Sequence, residues 1–555
     1  MKLSGADIIV KTLIEQGIEV IFGYPGGQII NVYDSLYKYS GEIKHVLTAH
    51  EQGAVHAADG YARSTGKIGV VFATSGPGAT NLVTGIATAY LDSVPVLAIT
   101  GNVPTTQIGT DSFQEIDITG ITLPITKHNY FVSRAEDVAD TIREAIKLAV
   151  SGRPGPVLID VPKDVQIAKC EYKPADKVEK CDPVPPKDIR IVEAAKIINA
   201  SEKPFVYFGG GLISSGAEEE LLALADKIDA PVGCSMMGIS GIPTDNPRFL
   251  GMQGMHGHFA SSMAMNKADC IIALGVRFND RVTGDRFKFA TRTKIVHIDA
   301  DGSELSKTVR ADCGLRSDVK LTLKMLLPEL KKTKHPEWNG EIADLKKREE
   351  NGEDKREGLT PKNIIQTLNG FLKPSTPVAT DVGQHQMWAA QYLSFSQNRK
   401  FISSGGLGTM GFGMGAAIGS FFGTGEKTVL ITGDGSFGMC LNELATAVTY
   451  KVPVVILLMN NGVLGMVRQW QTLFFDKHYS NTVLGRKTDF VKLAEAFGAA
   501  GERVDCIERL SAAFERAFAS DMPYLIDCAI DKDEFVLPML PPGGSMEDII
   551  IKADK

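Results

Sequence analysis

Short apolar runs alternate along this chain with longer stretches whose apolar positions return every three or four residues. The runs "IGVVFAT" (68–74), "PVLAIT" (95–100), "PVLIDVP" (156–162), "KPFVYFGG" (203–210), "CIIALG" (270–275), "KIVHID" (294–299), "TVLITGD" (428–434) and "PVVILLMNN" (453–461) read as buried strands. The stretches between them read as amphipathic helices, and the alternation predicts parallel α/β sheets. The first helix is framed locally. Ser4 can cap it with Asp7 three residues on, Ile9, Val10, Leu13 and Ile14 form its apolar face, and Gly17 ends it.

Two stretches break the alternation. Residues 168–187, "AKCEYKPADKVEKCDPVPPK", are rich in Pro, Lys and Asp and read as a linker. Residues 331–358, "KKTKHPEWNGEIADLKKREENGEDKREG", read as a solvated helix and a second linker. Three α/β units result, at 1–167, 188–330 and 359–540, with a tail at 541–555. A length of 555 residues fits three hydrophobic cores rather than one. In the first and third units alike, a strand delivers a Gly-rich turn to a helix.

Composition narrows the function class. The net charge is −7 with no basic block, which argues against nucleic-acid binding. The eight cysteines form no C-x-x-C pair, which disfavours a zinc site or disulfide framework and fits a reducing compartment. No signal peptide and no membrane-spanning run is evident, so a cytoplasmic protein is expected.

The segment "TGDGSFGMCLNELATAVTYKVPVVILLMNN" (432–461) carries the chemistry. Here a strand, a GDG turn, a helix and a second strand ending in two asparagines make a right-handed crossover. Asp434 and Asn461 then leave the same edge of the sheet, where open α/β sheets bind ligands. A diphosphate suits the free N–H groups at Gly435 and Ser436. It would be repelled by Asp434 unless a hard cation bridged them. The carboxylate, the Asn461 amide oxygen and a backbone carbonyl just beyond make an oxygen set suited to magnesium. An Asp-Gly turn alone is usually only a turn. The whole arrangement, with 24 residues between Gly435 and Asn460, resembles the signature of thiamine-diphosphate enzymes. Thiamine also needs an acid beside its aminopyrimidine. Glu51, opening a helix after "KHVLT", is the candidate, although by itself it reads as a carboxylate complementing a helix dipole.

The motifs "FGYPGG" (22–27), "HEQGAVHAADGYAR" (50–63), "ATSGPGATN" (73–81), "GTDSFQE" (109–115), "SGRPGPVLIDVPKDV" (151–165) and "GMHG" (254–257) resemble the acetohydroxyacid synthase family. So do "GVRFNDRVTGD" (275–285), "DVGQHQMWAAQY" (381–392), "SSGGLGTMGFGMGAAIG" (403–419) and "NNGVLGMVRQWQ" (460–471). The resemblance spans essentially the whole chain. It implies three parallel-sheet α/β domains: pyrimidine-binding, central FAD-binding and diphosphate-binding. It also implies the activity of a biosynthetic acetolactate synthase. In that reaction thiamine diphosphate decarboxylates pyruvate, and the two-carbon unit is joined to a second pyruvate or to 2-ketobutyrate.

By matching position, the resemblance assigns cofactor activation to Glu51 and pyrimidine support to Met410. Contacts to the thiamine cofactor fall to Gly26, Gly27, Val382, Gly383, Gln384, His385, Gly408, Gly433, Gly435, Ser436, Gly465 and Met466. Magnesium falls to Asp434, Asn461 and the Val463 carbonyl. Arg281 would take the carboxylate of the second keto acid and Trp470 its side chain. Gln114 and Lys163 stand near the site and its channel, and Phe113 walls it against water. FAD contacts fall to Arg153, Met255, His256, Gly275, Arg277, Asp299 and Asp318. The glycines Gly209, Gly210 and Gly211, ending the strand "FVYFGGG", can let a dinucleotide approach. The resemblance further implies a homodimer or homotetramer with sites between subunits, a possible small regulatory subunit, and a tail that closes over the filled site. Gly415 and Asn279 stand where the family usually has proline and aspartate. The alternatives are an FAD-free catabolic acetolactate synthase, a pyruvate oxidase whose FAD does redox work, or a non-catalytic homologue, which the intact Asp434, Asn461 and Glu51 argue against.

Overall fold

In the computed structural model, which describes residues 1–352 and 354–552, every one of these apolar runs is a strand. The strands assemble into three six-stranded, wholly parallel sheets. Alternate residues feed cores on opposite faces. Val70 and Phe72 pack on one side of the first sheet, and Val71 and Ala73 on the other. This is why the strands read as continuous apolar runs rather than alternating ones.

The first sheet comprises Val20–Gly23, Lys44–Leu47, Gly69–Ala73, Val96–Asn102, His128–Phe131 and Val157–Pro162. Numbered along the chain, its strands stand in the order 2-1-3-4-6-5. The third sheet comprises Val378–Thr380, Phe401–Ile402, Thr428–Gly433, Val454–Asn460, Ala500–Val504 and Tyr524–Ala529, and repeats that order. The middle sheet comprises Pro204–Phe208, Val232–Cys234, Phe249–Met252, Cys270–Leu274, Lys294–Asp299 and Cys313–Arg316, in the order 3-2-1-4-5-6. That order is typical of dinucleotide-binding sheets, and in all three sheets the ligand crevice is expected where the strand order reverses.

The expected first helix runs from Gly5 to Glu15, and the Ser4 side chain accepts a hydrogen bond from the Asp7 N–H. Three local readings need correction. The charged stretch is not simply solvated. Its helix Pro336–Gly352 buries Trp338, Ile342 and Leu345, and the Trp338 indole N–H donates to the Pro204 carbonyl. Spaced four and three residues apart, these form one apolar stripe against the middle sheet. The first linker opens as a strand, Lys169–Glu171, antiparallel to Lys2–Ser4. The GDG turn itself opens a single helical turn, Asp434–Phe437, before the helix Glu443–Thr449.

Helix Glu51–Thr65 of the first unit lies directly on helix Gly413–Thr424 of the third. A Cβ on Gly419 would stand 1.8 Å from the Ala57 carbonyl oxygen, and one on Gly60 would stand 2.2 Å from that of Ala416. The helices touch backbone to backbone because these positions carry no side chain. The tail is docked rather than free. The Leu540 N–H donates to the Met255 carbonyl, Met539 bridges Ile550, and Met546 is buried. Residues 553–555 of the expected tail lie outside the described residues. No described helix is long and apolar enough to cross a membrane.

Candidate active site

Strands Thr428–Gly433 and Val454–Asn460 are parallel neighbours in register, Gly433 opposite Met459, so Asp434 and Asn461 do leave the same sheet edge. The switch point of this sheet lies between Val378–Thr380 and Thr428–Gly433. There the "DVGQH" turn meets the GDG turn, and a Cβ on Gly433 would fall 2.9 Å from the His385 ring.

Asp434 is buried, and burial pushes its carboxyl up to about 6, partly offset by the backbone N–H groups of Asn461 and Gly435. No basic side chain pairs with it among the described residues. The Asn461 amide oxygen accepts from the Val463 N–H at 3.1 Å, so amide and peptide are already fixed beside the carboxylate. Buried acid, amide oxygen and adjacent carbonyl fit a hard divalent cation. The first asparagine has a different task. Asn460 donates to Asp527, which also takes Arg503, and so braces the strand end.

His385 is buried, its imidazole pushed down to about 3 by desolvation, and its Nε2 has no hydrogen-bond partner. A neutral ring with an orphaned nitrogen beside two Gly-rich turns fits a phosphate oxygen. The Gln384 side-chain NH2 is committed to Gln469 and to the Glu534 carbonyl, and its amide oxygen accepts from the Asn461 side chain at 3.4 Å. Gly465 packs against this amide, where a Cβ would lie 2.0 Å from the Gln384 oxygen. Ser436 is buried, and its hydroxyl accepts from the Gly411 N–H.

The loop 403–413 carrying Gly408 and Met410 is held by an acid that sequence reading passed over. Asp381, fully buried, accepts from the N–H groups of Gly411 and Gly413 and from Thr432. Burial raises its pKa.

A cavity of about 540 Å³ joins this edge to the switch point of the middle sheet. Val382, Gly383, Gly408, Met410 and Met466 line one end. Arg153, Gly210, Gly211, Gly275, Arg277, Asp299 and Asp318 line the other. There the turns after strands one and four touch: a Cβ on Gly211 would lie 2.6 Å from the Gly275 Cα, and Gly275 has φ +53°. Only glycine permits that approach, whereas Gly209 sits behind it against Val276. Three of the expected dinucleotide contacts are engaged within the chain. Arg153 is held by Asp301 and Glu304, Arg277 donates to the Leu91 carbonyl, and Asp318 caps helix Val319–Glu329. Burial raises Asp299 to about 6 and lowers His256 to about 4.

Arg281, Met255 and Trp470 converge on the cavity. The Arg281 guanidinium lies 5.9 Å from the Trp470 ring centroid and 3.8 Å from the Met255 sulfur. Its contact to Asp280 is a loose 3.7 Å, and its side chain is 57% exposed, so the charge is available to a ligand. The Trp470 indole nitrogen is buried without a partner. Trp470 is thus a wall of the cavity rather than an ordinary core ring.

Glu51, Gln114 and Lys163 are not among the cavity residues. They form a second cluster at the switch point of the first sheet. Glu51 accepts from Asn81 at 2.9 Å, and a Cβ on Gly78 would lie 3.3 Å from its carboxylate. Gly26 packs on Thr74, Lys163 donates to the Gly27 carbonyl, and Gln114 sits over Gly76 with φ +61°. Phe113 is 83% exposed on the single chain. Asn81 was not singled out in the sequence; its only signal was its place at the end of "ATSGPGATN". From behind, Glu443 and Tyr450 of the third unit accept the N–H groups of Ala49 and Leu47, fixing the approach to Glu51.

A buried acid with amide and carbonyl oxygens at one Gly-rich sheet edge, and a carboxylate at another, are what an enzyme that uses thiamine diphosphate needs. Family models agree: the N-terminal TPP-binding domain of thiamine pyrophosphate enzymes matches residues 3–121, the central domain 191–326 and the C-terminal TPP-binding domain 381–528. The chain is 46% identical to a probable acetolactate synthase large subunit of Methanocaldococcus jannaschii, covering 99% of this chain and 95% of the relative. It is 44% identical to the large subunit of Corynebacterium glutamicum, over 99% and 90% of the two chains. With the isozyme 3 large subunit of Escherichia coli it shares 41%, over 99% and 98%. It belongs to the acetolactate synthase large-subunit family.

Proposed function

We propose that this chain is the catalytic subunit of a biosynthetic acetolactate synthase. It takes pyruvate, releases carbon dioxide, and joins the remaining two-carbon unit to a second pyruvate or to 2-ketobutyrate. The products, 2-acetolactate and 2-aceto-2-hydroxybutyrate, open the routes to valine, leucine and isoleucine. The observation that carries this reading is the convergence of Arg281, Met255 and Trp470 on the cavity that also takes in Met410. A cation and an apolar wall at that place suit a keto acid with a small aliphatic side chain.

When bound, thiamine diphosphate supplies the electron sink for decarboxylation. Asp434, Asn461 and the Val463 carbonyl would hold Mg2+, and Gly383, His385, Gly435 and Ser436 the diphosphate. Glu51 would hold the proton that activates the aminopyrimidine, kept in aim by Asn81. Arg281 would grip the carboxylate of the second acid while Trp470 sorts its side chain. Gln114 and Lys163 would attend the entrance.

Glu51 and Asp434 sit at the switch points of different sheets, and Glu51 does not border the cavity. This favours a dimer in which one chain supplies Glu51 to its partner's Asp434 side, with a tetramer and a small regulatory subunit as further levels. The 3-2-1-4-5-6 order and the Gly211–Gly275 approach support FAD in the middle unit. We take the three units as 1–167, 188–330 and 359–540, with 541–555 closing the site, in a cytoplasmic enzyme. The test is to supply pyruvate, Mg2+, thiamine diphosphate and FAD and assay for acetolactate. Peroxide with oxygen uptake instead would make it a pyruvate oxidase, and full activity in a colourless protein the FAD-free type.

A further inference from the structure

We propose that Asp92 is a positioning residue for the loop that carries Met410, and that it works by clamping the near end of that loop from the first unit. The inference rests on the thiamine reading of the site.

The loop "SSGGLGTMGFG" (403–413) has two ends. Asp381 of its own unit holds the far end through Gly411 and Gly413. The near end is held from outside. Asp92, the last residue of helix Val83–Asp92, accepts the Gly405 N–H at 3.0 Å and the Gly406 N–H at 2.7 Å. Successive N–H groups pointing at one carboxylate make charge-assisted bonds, shorter and stronger than neutral ones. Glycine is needed at 406, because a Cβ there would lie 2.8 Å from the Asp92 oxygen and 3.2 Å from the Leu91 carbonyl carbon.

The carboxylate is itself aimed. Its side chain is fully buried, and Arg63 donates to it at 2.9 Å. Arg63 also pairs with the buried Asp59 and donates to the Ser403 carbonyl at 2.9 Å, at the start of the same loop. Three of its nitrogens are used, which a lysine could not reproduce. A buried charged group left half-paired is costly, so the arrangement resists slippage. The flanking residues reach the other end of the cavity: the Leu91 carbonyl accepts from Arg277 and the Ser93 hydroxyl from Arg153. Residues 91–93 thus tie the thiamine end to the dinucleotide end.

The test uses the full chain, loaded with Mg2+, thiamine diphosphate and FAD for the kinetic readout and without cofactor for the exchange readout. Asp92→Asn keeps the shape but offers one acceptor where two N–H groups need it. It should lower kcat at saturating cofactor about tenfold or more while pyruvate KM stays within about twofold, since loop placement governs the reacting geometry. Backbone amide exchange across 403–410 should speed up about tenfold, and Asp92→Glu should recover part of both losses. Glu15→Gln, which breaks the half-buried pair with Arg143 at the far side of the first unit, should cost stability and leave both readouts alone. Should Asp92→Asn not fold, Gly406→Ala displaces the loop while keeping both charges of the Asp92–Arg63 pair, and should show the same kcat loss. Unchanged exchange over 403–410, or unchanged kcat in both variants, would overturn the clamp. The exchange measurement needs no cofactor, so it decides the clamp even if the wild-type chain makes no acetolactate, a result that would sink the functional reading alone.

Discussion

Replacing Asp434 with asparagine should make the metal-free protein more stable while destroying its response to metal. The Asp434 carboxyl is pushed by burial from an ordinary value near 3.8 to about 6. Because the folded value is the higher one, the fold favours the protonated acid. The penalty is absent below about 3.8, grows through the window to about 6, and is complete above it. Over that window it amounts to about 3 kcal/mol. An asparagine escapes the charge term but must still desolvate its amide, so a net gain of about 1–3 kcal/mol is expected at pH 7.5. For a unit the size of the third one, that is a rise of about 3–10 °C in the unfolding midpoint. Calorimetry in EDTA at pH 7.5 and pH 4.5 checks it, and the difference between variant and wild type should shrink at the lower pH. Adding Mg2+ and thiamine diphosphate should raise the wild-type midpoint and leave Asp434→Asn where it was. A variant less stable than wild type without metal, or equally stabilised by the cofactor, would refute the view that this acid is kept at a loss for a cation.

Three further outcomes are expected. Glu51→Gln should cut turnover by about a hundredfold or more yet keep thiamine diphosphate affinity. Mixed with inactive Asp434→Asn, it should regain about a quarter of wild-type activity if sites lie between chains, since half the dimers are mixed and each carries one intact site; no recovery on mixing would place each site within one chain. Trp470→Leu should reduce the preference for 2-ketobutyrate over pyruvate about tenfold, read from the product ratio, and an unchanged ratio removes Trp470 from specificity. Gly419→Ala should destabilise the protein by about 3 kcal/mol or more in urea unfolding, because its Cβ would stand 1.8 Å from the Ala57 oxygen; a change under about 0.5 kcal/mol would contradict the backbone contact.

The strands were legible because wholly parallel sheets bury both faces, leaving apolar runs such as "PVVILLMNN" that need no period to be read. Asp434 and Asn461 were legible because glycine and asparagine at strand ends punctuate a crossover of fixed length. Asp92, Asp381, Asp527 and Arg63 were not, since a lone charge in a sequence looks like a solvated one until its partners arrive from distant positions. Arg63 meets Ser403 across 340 residues, and no local window contains both. The helix Pro336–Gly352 was expected, but its burial was missed for the opposite reason. Its stripe at Trp338, Ile342 and Leu345 was present but outweighed by the surrounding charge. Strand order, the feature in which the middle sheet resembles dinucleotide-binding sheets, is a property of pairing and leaves no trace in sequence.

The seam between helices Glu51–Thr65 and Gly413–Thr424 has a mechanical meaning. Rods in backbone contact have no compressible padding, so neither can slide or tilt without breaking van der Waals contact along its length. The first and third units of a chain therefore behave as one chassis. Whatever yields when substrates enter and products leave must be sought in parts more lightly fastened, such as the segment after Pro538, which single backbone hydrogen bonds at Met255 and Asp285 tie to the middle unit.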